Sequence, residues 1–195
     1  MATTTPNLWQ RLFDRAPSGY RPGVTLEHLR RNLGLAGCQV VEPGRARFSL
    51  ADGVELEVRE RTESQLLMHI VVCEFRLQCS ASSEGTATLE LHHSGAIRRT
   101  GLGWKQKGGE AGLLERVRQR LEQDPVLLQA LMPLDFKRLR LERAEGLWTV
   151  VLEHMGGSEV VNRMPAFRRY IRVSAEQREY LLTALTALKS LLEGL

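Results

Sequence analysis

Between Val54 and His93 apolar residues recur at every second position, and this alternation constrains the fold more than any other feature of the chain. Val54, Leu56 and Val58 alternate with Glu55, Glu57 and Arg59. A period of two sends successive side chains to opposite faces of a strand, so one face is dry and the other wet, as in antiparallel sheets. Residues 66–79 extend the pattern. The odd positions Leu67, His69, Val71, Cys73, Phe75 and Leu77 stay largely apolar throughout, whereas the even positions are apolar only early (Leu66, Met68, Ile70, Val72) and then become Glu74, Arg76 and Gln78. The early half of this strand is therefore expected to be covered on both faces. Residues 86–93 alternate again with Ala87, Leu89 and Leu91 inward, and Asp52-Gly53 predicts a hairpin from a strand near residues 46–50.

Elsewhere the period changes to that of a helix. Leu8, Trp9, Leu12 and Phe13 share a face of a short helix, followed by an irregular Pro- and Gly-containing linker to residue 23, together a candidate docking arm. Thr25 is read as the cap of a second helix with Leu26, Leu29 and Leu33 inward and Gly34 closing it. A Gly-rich basic loop over residues 94–109 leads to a helix with Leu113, Leu114, Val117 and Leu121 inward, and Asp124-Pro125 starts another. Strands follow at 137–143, 147–155, 159–164 and 168–173. Ser174 and Gln177 form a capping box before a long C-terminal helix with Leu181, Ala184, Leu185, Leu188, Leu191 and Leu192 on one stripe. Strand runs joined by short turns, then helices, predict an α+β fold. It is an antiparallel sheet with helices packed mainly on one face, in a single domain over residues 1–195.

A chain of 195 residues can bury a core of its own without metal or disulfide staples. The three cysteines, Cys38, Cys73 and Cys79, are odd in number and form no C-x-x-C pair, which argues against a disulfide framework or structural zinc. No run approaches the ~20 apolar residues of a membrane span. Residues 1–6 lack a basic-then-apolar order, so a cytoplasmic location is expected. Nucleophile-elbow, zincin and phosphate-loop signatures are absent, and neither cofactor nor metal is expected.

Of the 27 basic residues, 23 are Arg, and their placement is uneven. Residues 97–109 hold Arg98, Arg99, Lys105 and Lys107 without an acid. Residues 163–173 hold Arg163, Arg168, Arg169 and Arg172 without an acid. Each segment equals the formal net charge of +4, so the remainder is mildly acidic. Both carry aromatics (Trp104; Phe167 and Tyr170) and both precede an amphipathic helix, where free N–H groups and the helix dipole favour an anion. The expected function is a non-enzymatic module that binds an anionic small molecule or a protein partner there. The competing structural reading is a soluble loop and an arginine-protected edge strand. Nucleic-acid binding is an alternative that the mildly acidic remainder disfavours. A third reading is an enzyme using His69, His93 and His154, which alternation places on inward registers, although a histidine near a strand end more often closes a core.

The run Asn162-Arg163-Met164-Pro165, with Arg168-Arg169-Tyr170 and Ser174-x-x-Gln177, resembles an uncharacterised bacterial domain-of-unknown-function family over most of the chain. The resemblance implies a bacterial, cytoplasmic protein without an established activity. It carries no functional residues over and leaves the oligomeric state open.

Overall fold

A computed structural model describes residues 17, 19–35, 37–50, 53–82, 84–95 and 99–195. The expected N-terminal helix and Arg98 lie outside them. A helix α1 (Val24–Leu33) is followed by strands β1 (Cys38–Glu42), β2 (Arg45–Ser49), β3 (Glu55–Ser64), β4 (Met68–Ser80), β5 (Ala87–Ser94) and β6 (Gly101–Gly109). Then come α2 (Ala111–Gln123), α3 (Pro125–Leu131), β7 (Phe136–Ala144), β8 (Leu147–His154), β9 (Glu159–Arg163), β10 (Ala166–Tyr170) and α4 (Ala175–Glu193). The class is α+β, and the described strands form one antiparallel sheet in the order β1-β2-β3-β4-β8-β7-β5-β6, with β9 on β4 and β10 on β9.

The branch has a simple origin. β8 pairs with β4 from Ser80 to Glu74, and β9 continues along the same edge from Val71 to Met68. Residues 155–158 bulge out between them, so β8 continues into β7 while β9 takes β10. Gly157, at φ +84° and tight against Leu29, is where the turn needs glycine.

The alternation places Val71, Cys73, Phe75 and Leu77 of β4, Leu139 and Leu141 of β7, and Trp148, Val150 and Leu152 of β8 in the core. The helices meet them there through Leu29 and Leu33, Leu113 and Leu121, and Leu181, Leu185 and Leu188. The other face of the sheet carries the polar positions, and none of the described helices covers it. The expected double cover of early β4 is met only in part: Val72 is buried on that face, while Met68 and Ile70 stay half-buried.

Three local expectations are corrected. Residues 101–109 are an edge strand, not a loop: β6 pairs with β5 from Ser94↔Gly101 to Ala87↔Gly109. Its glycines admit the neighbouring strand, since a Cβ on Gly109 (φ +107°) would lie 2.3 Å from the Thr86 carbonyl oxygen. Helix α1 is capped at Gly23, and Thr25 is inside it. The free N–H groups of Gly23 and Leu26 donate instead to the Glu60 carboxylate of β3, at 2.9 and 2.7 Å, and the Tyr20 hydroxyl donates to it at 2.8 Å. Ser174 does accept from the Gln177 N–H, but the Gln177 side chain turns away from the box. Strand β1 was not expected, because its residues are mostly exposed and leave no apolar period.

Candidate functional site

The open face of the sheet gathers more arginine than either segment singled out from sequence. Glu74 of β4 and Glu153 of β8 are direct cross-strand partners, and both are buried. Two carboxylates in that position repel, and cations hold them together. Arg59 lies 2.8 Å from Glu74 and Arg61 2.8 Å from Glu153, while Arg138 and Arg76 stand farther out at 3.5 and 3.8 Å. Neither Glu153 oxygen makes a well-directed hydrogen bond, so its contacts are ion pairs without good geometry. Nearby, Arg45 meets Glu57 at 2.7 Å, Arg140 meets Glu142 at 3.1 Å, and Lys137 meets Glu63. The Lys137 hydrogen bond, with help from Arg61, holds the Glu63 carboxyl below its ordinary range. Cations and carboxylates thus alternate across the strands, which makes this face a charge lattice. Alternation places Glu74 outward, but its pairing with Glu153 depends on strand order.

The first basic segment is divided by its strand. Trp104 turns to the core with Leu102, and Lys105 and Lys107 turn to the open face. Lys107 pairs with Glu90 at 3.0 Å and lowers its pKa. Arg99 lies beyond the strand end, where it donates to the carbonyls of Met132, Pro133 and Leu134 and meets Asp135 at 2.8 Å. It is a clamp on the chain that enters β7.

The second segment is divided as well. Arg168 points inward, 2.9 Å from the buried Glu159 carboxylate, which also accepts from the Thr25 hydroxyl at 3.2 Å. Arg168 also donates to the Gly19 carbonyl. The Tyr170 hydroxyl donates to Asn32, and its ring packs on His28 at 5.2 Å between centroids. These two residues hold α1 against the β9–β10 hairpin. Arg163, Arg169 and Arg172 are exposed, and among the described residues no carboxylate lies within ion-pair distance of them. Arg172, with Arg178, Asn32 and the first turn of α4, lines a cleft of about 470 Å³.

Lys105 and Arg169 both lie on the open face, but they do not meet. Register ties Lys105 through Glu90, Arg140 and Val151 to Arg76 on β4. It ties Arg169 through Val160 to Ile70. Six residues along a strand are about 20 Å.

All three inward histidines lie on the core face, as alternation required. Phe136 stands between two of them, being the register partner of His154 and packing on the His93 ring at 4.3 Å. His93 Nε2 bonds the Leu131 carbonyl at 3.0 Å. His154 is committed at both nitrogens, Nδ1 to the Gly156 carbonyl (3.1 Å) and Nε2 to the Gln177 side-chain oxygen (2.9 Å). That oxygen also accepts from the Asp135 N–H, so Gln177 stitches α4 to the bulge and to β7. His69 sits four residues before Cys73 on β4, buried and with neither nitrogen hydrogen-bonded. Burial, with Arg163 and Arg168 nearby, holds its pKa below the ordinary value. Among the described residues no group of His, Cys, Asp and Glu is placed to hold a metal ion, and no helix is long and apolar enough to cross a membrane.

A branched antiparallel sheet with helices on one face and a charge lattice on the other defines an open-faced α+β protein. Residues 31–192 match the family described as "Protein of unknown function (DUF3156)", and the chain belongs to that family. Searches of the curated proteins and of the solved structures each find no match.

Proposed function

We propose that the chain is a non-enzymatic module that binds an anionic small molecule or an anionic partner through the arginine surface of β10 and the segment entering α4. The observation that carries this reading is the pairing census of the arginines. Arg59, Arg61, Arg76, Arg99, Arg138 and Arg168 are all matched by carboxylates, whereas Arg163, Arg169 and Arg172 stand exposed and unmatched in a stretch without an acid. Exposed cations around one hairpin attract anions at close range and lose little on desolvation, Arg169 from the open face with Val160 and Arg163 from the opposite face with Val161. The first turn of α4, with its free N–H groups, adds partial positive charge beside Arg172. The β6 segment is the weaker partner in this account, because Glu90 already answers Lys107.

Titration calorimetry with inorganic tripolyphosphate tests the reading. The unaltered chain binds, and Arg169→Glu with Arg172→Glu abolishes binding without moving the melting temperature. Undiminished affinity in that double variant sinks the proposal.

A further inference from the structure

We propose that the joined tips of the β3–β4 and β9–β10 hairpins dock on an anionic phospholipid surface. This rests on the anionic-partner reading above and names the partner's class.

The tips carry the two most exposed large apolar side chains among the described residues, Leu66 at 92% and Met164 at 75%, together with Leu67 at 52% and Phe167 at 47% exposure. They form one structure, because the Arg163 N–H donates to the Leu67 carbonyl at 2.8 Å and β4 pairs with β9 immediately behind. The apolar surface then runs back along the open face. Ile70 and Val160 are direct cross-strand partners, Met68 opposes Asn162, and Asn162 opposes Phe167. These are the early β4 positions whose sequence calls for cover on both faces and which no described helix covers. An apolar patch of this kind on an otherwise charged face marks a contact surface.

Charge and shape select the occupant. From Val160 to Ala175 there is no acid, and Arg163 and Arg169 stand behind the apolar apex on opposite faces of the hairpin, exposed and unmatched. The order along the hairpin is therefore apolar at the tip and cationic behind it. That order matches the depth profile of an anionic bilayer, with acyl chains below and phosphate at the headgroup level. The tip is convex, made of flexible Leu and Met side chains at two turns. A fluid interface receives such a shape without a complementary groove.

Vesicle flotation of the full chain tests the assignment. Vesicles of equimolar phosphatidylglycerol and phosphatidylcholine are expected to carry the protein at least about tenfold better than phosphatidylcholine alone. Leu66→Ser with Met164→Ser should lower that binding about tenfold while tripolyphosphate binding and the melting curve stay unchanged. Leu66→Trp, as an independent probe, should shift its emission to the blue only with the anionic vesicles. Vesicle binding that is unaffected by the serine pair overturns the lipid assignment. So does tripolyphosphate binding without vesicle binding, an outcome that leaves the anion-binding reading intact. Binding to neither overturns both.

Discussion

Arg168 and Arg169 are neighbours in sequence with opposite duties. Strand alternation turns Arg168 inward onto the buried Glu159 and Arg169 outward into solvent. Removing one partner of a buried ion pair strands the other charge, so Arg168→Ala should cost ~3 kcal/mol. That is the low end of the usual range, because the Arg168 side chain keeps 30% exposure and only Glu159 is buried. Arg169→Ala should leave urea-unfolding stability within ~0.5 kcal/mol. Equal losses from the two variants would show that the inward and outward assignments are wrong. Glu60 makes a second case at this scale. It stands in for a helix cap from another strand, so Glu60→Ala should cost ~1–2 kcal/mol and fray α1, visible as lost helical circular dichroism. Neither role can be read from the sequence. Glu60 and Arg168 are ordinary polar positions until tertiary pairing brings Gly23 and Glu159 beside them, and local spacing carries no trace of that.

At the scale of elements the sequence was more legible, for a physical reason. Where one face of a strand is buried and the other wet, as in β3, β4, β5 and β8, alternation states the element outright. The buried stripe of α4 and the Asp124 cap of α3 are legible in the same way. β1 and β6 were missed because they are sheet edges. Their backbones satisfy the ladder while their side chains have little to bury, and in β6 the glycines mimic a loop. The site follows the same division. The acid-free arginine run was visible, but which arginines are free depends on strand order and on a bulge at residues 155–158. β6 offers a sharp test of its edge-strand reading. Gly109→Val adds a β-branched side chain at φ +107° against the Thr86 carbonyl and should cost ~2–3 kcal/mol. Loosening β6 should also expose Trp104 and red-shift its fluorescence. An unshifted spectrum with full stability would mean that β6 does not need glycine there.

At the scale of the whole molecule, the one-sided layering separates a dry core from a charged face, and pH acts on both. Burial is the first cause holding the His69 and His93 imidazoles below their ordinary pKa of 6.5, so the unfolded chain takes up protons first. The stability they contribute is complete above about pH 6.5 and falls as pH drops through their lower folded-state values. Glu63 and Glu90, held low by Lys137 and Lys107, give a second decline below about pH 4.5. His69→Leu should flatten the first decline in urea-unfolding curves and leave the second; an unchanged first decline would show that His69 is not part of it. The proposed anion site is the β10 surface and not β6. Hydrogen–deuterium exchange with and without saturating tripolyphosphate locates it directly. Added protection is expected at residues 160–178 alone, with 101–109 unchanged. Protection centred on 101–109 would contradict that placement.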